Sequence, residues 1–241
     1  MLLVTSHPDD ESMFFGPSIQ TLRRMGAHVH ILCLSNGGAD GLGGVRTKEL
    51  EDVRTFLGIH SLKVVDDLRL KDGFEERWPA GVIEEHVEAS VRRVAADVVL
   101  TFDARGVSGH PNHTATYRGV LSWMANEGSN ARMSSEQQVG KDRGVRKRDN
   151  LKVVQVWALV STNIVRKFLM MVDVFATYFL LERRNTLVAA SNPIELMQAM
   201  SMHKSQWVWY RKLFMLFSRY SYVNTLKQLT VQADRAERSW E

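Results

Sequence analysis

Leu2-Leu3-Val4-Thr5-Ser6-His7-Pro8-Asp9-Asp10-Glu11, at the start of the chain, is the stretch whose reading decides the fold. Leu2 to Thr5 is a short apolar run, and Ser6-His7-Pro8 stops it, so it reads as a buried strand. Three consecutive carboxylates then follow the strand's end, at the place where open α/β sheets gather their ligands. A strand that delivers a polar cluster in this way predicts more of the same kind downstream.

The pattern repeats. Gly16 to Met25 has helical spacing, Pro17 suits its first turn and Gly26 closes it. His28 to Leu34 reads as a second strand, running into the glycine-rich loop Asn36 to Gly44 and a helix from about Val45 to Leu57. Ser61 to Val65 is a third strand, and Val82 to Ala95 is an amphipathic helix with Val82, Val87, Val91 and Val94 on its apolar stripe. Asp97 to Phe102 is a further strand, followed by the loop Asp103 to Pro111 and a helix from about Asn112 to Asn126. Val153 to Val160 resumes as a strand, and the rest is expected to be mostly helical, aromatic and basic. Alternating strands and helices predict an α/β fold: a Rossmann-like, mostly parallel sheet with helices on both faces. The polar stretches around His7, the glycine-rich loop and Asp103 to His113 should then meet on one rim.

At 241 residues the chain fits a single domain, residues 1–241. Gly128 to Asn150, rich in Ser, Gln, Lys and Arg, is expected to be an exposed insertion. The composition, 44% hydrophobic and 24% charged, excludes a disordered chain. A formal net charge of +4 favours anionic surfaces without choosing among phospholipid, nucleic acid and phosphate ester. Cys33 is the lone cysteine, which excludes an internal disulfide, and its apolar neighbours predict a small buried hydrophobe. No signal peptide is evident, and no stretch reaches the roughly 18–20 uninterrupted apolar residues of a membrane span. Phe168 to Leu181 comes nearest. It contains Asp173 and is flanked by Arg166, Lys167, Arg183 and Arg184, so a buried or membrane-grazing helix suits it better.

The chemistry starts from His7-Pro8-Asp9-Asp10-Glu11. Zinc accepts imidazole nitrogen and carboxylate oxygen, and a catalytic zinc takes three protein ligands while keeping a position for water. His7 and Asp10 can supply two. The His-x-x-His pair His110 and His113 could supply the third, and Asp9 is left to accept the proton of the attacking water. The plain alternative is that Asp9, Asp10 and Glu11 are solvated charges at a helix start, where carboxylates are favoured anyway. The second histidine cluster on the same rim favours the metal. Magnesium, the other ion that paired aspartates hold, rarely recruits imidazole. The glycine-rich loop has neither G-x-G-x-x-G nor a Walker lysine, so a substrate loop is expected rather than a nucleotide site. Arg46 could bind a phosphate or sugar hydroxyls through its fork, or be a solvated arginine at a helix start. The basic and aromatic residues from His203 to Lys212 fit a membrane interface or a single-stranded nucleic acid, but core packing with snorkelling Lys and Arg is the commoner cause.

The two blocks His7-Pro8-Asp9-Asp10-Glu11 and Gly109-His110-Pro111-Asn112-His113 resemble the PIG-L/LmbE-like zinc deacetylase family. Ser12 to Pro17, Ser35 to Gly41, Thr101-Phe102-Asp103 and Phe217 to Tyr220 are similar to its eukaryotic PIG-L branch. The resemblance covers nearly the whole chain apart from Gly128 to Asn150. It implies Zn2+, or another divalent transition metal, on His7, Asp10 and His113, with Asp9 as general base. It also implies that a charged His110 steadies the oxyanion, and could protonate the leaving amine, and that Arg46 binds substrate. The implied reaction removes the acetyl group from N-acetylglucosaminyl-phosphatidylinositol in GPI-anchor biosynthesis, at the cytoplasmic face of the endoplasmic reticulum membrane. Members of that branch usually carry a membrane helix before the first strand, where this chain begins, so either truncation or peripheral docking is expected. Docking would use Phe168 to Leu181 and the Trp207 to Phe217 region. The rivals are a soluble deacetylase of a small GlcNAc conjugate and a non-catalytic membrane-associated subunit. A nucleic-acid partner is not expected.

Overall fold

Why Leu2 to Thr5 carries no polar alternation is plain in the structure, a computed structural model that describes residues 1–139, 154–168 and 185–230. Strand β1 (Leu2–Thr5) lies inside a seven-stranded sheet and is buried along its whole length. It pairs in parallel with β2 (His30–Cys33) on one side and β4 (Val98–Phe102) on the other, Leu3 standing opposite both Ile31 and Leu100. Side chains alternate faces along a strand. Leu3, Ile31 and Cys33 therefore join the core under helices Gly16–Arg24, Gly43–Phe56 and Pro193–Met202. Leu2, Val4, Leu32 and Leu34 join the opposite core with Ile83 and Val87 of helix Ala80–Val94 and Val120 and Trp123 of helix Pro111–Val139. Both faces are covered, as a mostly parallel sheet requires.

The strand order is β3-β2-β1-β4-β5-β7-β6, with β3 at Ser61–Val64 and β5 at Gln155–Leu159. The chain runs outward from β1 through β2 to β3, then crosses back to β4 on the other flank. The carboxyl ends of β1 and β4 therefore border the switch point, where such sheets form their crevice. The residues after β1 begin with Ser6 and His7, and those after β4 lead to His110 and His113.

Two expectations are corrected. Among the described residues beyond β5 helices outnumber strands as expected, but two strands that the sequence did not reveal, β6 (Asn185–Ala189) and β7 (Val223–Leu229), add to the sheet, both paired antiparallel. β6 lies at the sheet edge, where a partly polar pattern is suited, while β7 lies inside between β5 and β6 with its Asn224 buried and accepting from Ser18; both patterns are weak signals against aromatic neighbours. The helix expected to end near Asn126 continues to Val139. Gly128 is the one weak point in this stretch, and a single helical glycine costs about 1 kcal/mol without having to end the helix. Residues 140–150 of the expected insertion and 169–181 of the expected membrane-grazing helix lie outside the described residues. Among the described residues no helix is long and apolar enough to cross a membrane.

Candidate metal and catalytic centre

The loop after β1 is held in an unusual conformation. Asp9 has φ 111°, in the left-handed half of backbone space, which costs an ordinary residue about 1–3 kcal/mol. Aspartate tolerates it better than most residues. Hydrogen bonds over-determine the turn. The Asp9 N–H donates to Glu11 Oε2 at 3.1 Å, and the Asp9 carbonyl accepts from Ser12 N and Met13 N at 3.1 and 2.9 Å. Asp10 Oδ2 accepts the backbone N–H groups of Ser6 and His7 at 3.0 and 2.8 Å.

Three adjacent carboxylates thus have three different tasks. Glu11 is fully buried, and its Oε1 accepts from Ser12 Oγ at 2.7 Å and from His203 Nε2 at 2.6 Å. Burial pulls His203 toward the neutral form, but the Glu11 charge and hydrogen bond outweigh it and leave its pKa raised. The same pairing outweighs burial at Glu11 and holds its carboxyl below the usual range. Breaking a buried pair from one side leaves an uncompensated charge and costs about 3–5 kcal/mol. His203→Ala should therefore lower the thermal midpoint by roughly 6–20 °C for a chain of this size. Calorimetry checks it, and an unchanged midpoint would mean that the Glu11–His203 pair does not support the Asp9 turn.

The imidazoles are oriented from behind. His113 Nδ1–H donates to the Gly106 carbonyl at 3.0 Å, with Ser108 Oγ also 3.0 Å away. A carbonyl only accepts, so this nitrogen carries the hydrogen. The other nitrogen, Nε2, lies 3.2 Å from Asp10 Oδ1. The Gly106 carbonyl comes this close because residue 106 has no side chain: its φ is +61°, and a Cβ there would stand 2.8 Å from the His113 Cβ. His7 follows the same logic. Its Nε2–H donates to Asp72 Oδ1 and Asn112 Oδ1, 3.0 Å each, and its Nδ1 lies 3.8 Å from Asp10 Oδ2. Burial lowers the His7 pKa, but Asp72 and Asp10 outweigh it and leave it raised. Both rings therefore turn their second nitrogen toward one carboxylate, a contact that either a proton on the ring or a bound cation satisfies. Imidazoles held by carbonyl or carboxylate acceptors, with the far nitrogen converging on a carboxylate, form a donor set suited to a metal ion.

His110 joins the cluster without sharing that polarity. One ligand atom each from His7, His110 and His113 lies within 4.8 Å of the others. The Asn112 N–H donates to His110 Nδ1 at 3.2 Å, so in the neutral ring the hydrogen sits on Nε2. Burial, reinforced by His7 and His113, pushes the His110 pKa down to about 4. The charged His110 that the resemblance implies would have to take up its proton against this burial, whereas the neutral ring has one N–H to donate.

Arg46 is buried among protein acceptors. Its Nη1 donates to Gly37 O at 2.9 Å and Asp72 Oδ2 at 3.2 Å, and its Nη2 to Pro8 O at 2.8 Å and Asp9 Oδ2 at 3.5 Å. It ties the glycine-rich loop to the loop after β1. Gly37 leaves room for it: φ is +70°, and a Cβ there would stand 2.5 Å from the Arg46 Cζ. Gly37→Ala should cost about 1–2 kcal/mol from the left-handed backbone alone. It should also lower turnover by displacing Arg46 while leaving the metal content unchanged; urea unfolding and initial rates, with metal analysis beside them, read the two effects separately.

The structure brings His7, Asp9, Asp10, Arg46, His110 and His113 together. Sequence reading missed Asp72, the Glu11–His203 pair and Arg211, whose Nη2 lies 3.3 Å from Asp9 Oδ2. Asp72 comes from a loop with no motif of its own, and the runs that hold Glu11, His203 and Arg211 do not show which of their side chains turn toward one another. A polar cleft of about 360 Å3, lined by Asn36, Asp66, Asp72 and Glu76 among others, adjoins the centre at Asp72. An apolar cavity of about 520 Å3 adjoins it at Arg211, lined otherwise by Met13, Phe168, Tyr210, Leu213, Phe214 and Phe217.

A doubly wound sheet with this rim is the fold of a known group of deacetylases. The N,N'-diacetylchitobiose deacetylase of Pyrococcus horikoshii, solved with an inhibitor, superposes with a TM-score of 0.64 at 16% identity, over 96% of this chain and 84% of that one. The family model for GlcNAc-PI de-N-acetylase (PIG-L) matches residues 2–124, and the chain belongs to that family. A probable N-acetylglucosaminyl-phosphatidylinositol de-N-acetylase of Dictyostelium discoideum is 35% identical over 239 residues, 95% of this chain and 93% of its own length. The corresponding de-N-acetylase of Bos taurus is 35% identical over 234 residues, 95% and 83% of the two chains.

Proposed function

We propose that this chain, working as one domain, is a zinc-dependent amide hydrolase. Its reaction removes the acetyl group from N-acetylglucosaminyl-phosphatidylinositol at the cytoplasmic face of the endoplasmic reticulum membrane. The observation that carries the reading is the pair of imidazoles, His7 and His113, each held from behind and turned toward Asp10. These three residues would hold the zinc. Bound there, zinc supplies Lewis acidity to the acetamide carbonyl and to water.

Asp9 takes the proton of the attacking water. Its pKa is raised by burial against the pull of Arg211 and Arg46, which makes it a better base than an exposed aspartate. His110 donates its Nε2–H to the oxygen on which negative charge develops. A neutral ring has no surplus proton, so the expelled amine recovers the one Asp9 received. Water adds, the C–N bond breaks, and acetate and the free amine leave. Arg46 binds the sugar chiefly through the groups it holds, Asp9, Asp72 and the Gly37 loop. The polar cleft beside Asp72 suits the hydroxyls of the sugar.

The membrane side of the proposal is supported by helix Trp209–Phe217, which leaves Trp209 72% exposed and Tyr210, Leu213, Leu216 and Phe217 exposed beside the apolar cavity. Amphipathic helices with aromatic residues on the apolar face lie in membrane interfaces. The test is acetate release by zinc-loaded protein from the lipid substrate in mixed micelles and from the water-soluble headgroup alone. Preference for the lipid supports the proposal. Equal or better turnover of the headgroup would instead make the chain a soluble deacetylase of a small GlcNAc conjugate.

A further inference from the structure

Among the described residues that line the apolar cavity Arg211 is the one with a charge, and the same side chain reaches the acid of the reaction centre. Its Nη1 donates to the Gln206 carbonyl at 3.2 Å and to Gln206 Oε1, which anchors the guanidinium on its own side of the cavity. Its Nη2 lies 3.3 Å from Asp9 Oδ2, and the side chain is 21% exposed. A cation thus stands where a polar reaction centre passes into an apolar hollow.

An amphiphile that spans this boundary has a fixed chemical order. In a glycosylated phosphatidylinositol the acetamide lies on the sugar, the inositol follows, one phosphodiester comes next and the acyl chains come last. With the sugar hydroxyls toward the Asp72 cleft and the amide at the imidazole cluster, the phosphodiester comes between that cluster and the apolar cavity. Arginine suits such a position because its planar fork meets two phosphate oxygens at once. Arg46 is the poorer candidate, because its side chain is only 7% exposed and each of its terminal nitrogens already meets two protein acceptors, whereas the Arg211 Nη2 faces Asp9 alone among the described residues. Lys167 is a second cation beside the cavity among the described residues. Its Nζ lies 5.3 Å from the Phe214 ring centroid and donates to Val107 O at 3.4 Å, a point charge without a fork.

We propose that Arg211 binds the phosphodiester of the substrate, so that the enzyme selects a phosphate-bearing glycoconjugate over its phosphate-free counterpart. This rests on the de-N-acetylase reading for the identity of the substrate, while the anion site itself rests on the position of Arg211. In the bound state the guanidinium is shared between Asp9 and the phosphate, and the acyl chains begin at Phe168, Phe214 and Phe217.

The test uses the zinc-loaded full chain as wild type, Arg211→Gln and Arg211→Lys. Two quantities are measured: binding of glycerophosphoinositol by calorimetry, and kcat/KM on GlcNAc-inositol with and without the phosphodiester. Losing a hydrogen-bonded charge should weaken probe binding in Arg211→Gln by roughly 10–100-fold. The kcat/KM ratio of phosphate-bearing to phosphate-free substrate should fall by a similar factor, mainly through KM. Arg211→Lys should recover part of both, which also shows that the loss is not one of folding. An unchanged ratio overturns the proposal. So does an equal fall on both substrates through kcat, which would make Arg211 a positioning residue for Asp9. If wild type deacetylates neither substrate, the de-N-acetylase reading fails by itself. The anion site is then upheld by probe binding that Arg211→Gln loses, and overturned if wild type does not bind the probe.

Discussion

Asp9→Asn should lower deacetylation by about 100- to 10,000-fold, the usual worth of a positioned general base, while zinc content and thermal midpoint stay near wild type. The substitution is clean for a structural reason. Residue 9 sits at φ 111°, a region that asparagine tolerates as well as aspartate does. The bonds that fix the turn, from Asp9 N to Glu11 and from Ser12 N and Met13 N to the Asp9 carbonyl, are made by the residue 9 backbone and survive the change. Asp9→Ala would confound strain with chemistry. What asparagine removes is the capacity to take a proton, together with the charge that Arg46 and Arg211 face at 3.5 and 3.3 Å. Initial rates and metal analysis on one preparation read both quantities. Activity within about threefold of wild type, far short of the loss a general base implies, would mean that another group takes the proton.

The fold was legible from the sequence to the extent that its strands were short apolar runs punctuated by glycine or proline. β1, β2 and β4 are buried on both faces, so burial alone wrote their composition, and their polar successors revealed the rim. β6 and β7 were not legible: the edge strand Asn185–Ala189 carries a partly polar pattern, and the interior strand Val223–Leu229 breaks its apolar run with Asn224, which is satisfied by Ser18 and the Phe14 carbonyl from far along the chain. The centre shows the same division. His7, Asp10, His110 and His113 stand in two compact blocks whose residue types suggest metal chemistry by themselves. Asp72, His203 and Arg211 reach the centre across 65, 192 and 202 residues from His7, Glu11 and Asp9; Asp72 has no motif around it, and the basic and aromatic run that holds His203 and Arg211 gives no sign that they face the centre. Glu11 illustrates the cost of reading a cluster as one unit: it adjoins Asp10 in the chain, yet it turns inward to a histidine of the C-terminal third. The protonation of His110 was also beyond the sequence, since it depends on Asn112 N and on two neighbouring rings.

His113→Ala should abolish stoichiometric zinc binding and with it all measurable turnover, whereas His110→Ala should keep zinc and lose turnover. The contrast separates two ligand sets that share the same cluster. By proximity alone His7, His110 and His113 qualify as a triad of nitrogens. By hydrogen-bond polarity they do not, because His110 spends its Nδ1 lone pair on the Asn112 N–H and is left with a donor at Nε2. His113 spends its hydrogen on Gly106 and keeps a lone pair facing Asp10. A metal needs lone pairs, so Asp10 completes the set and His110 stands outside it. Asp72→Asn grades the same logic. It weakens the acceptor behind the His7 Nε2–H and should lower zinc affinity about 10- to 100-fold, as removing such partners does elsewhere. Competition with a chromogenic chelator ranks the variants. The order wild type, His110→Ala, Asp72→Asn, His113→Ala is expected, from tightest to weakest. Zinc loss in His110→Ala equal to that in His113→Ala would replace Asp10 with His110 as the third ligand.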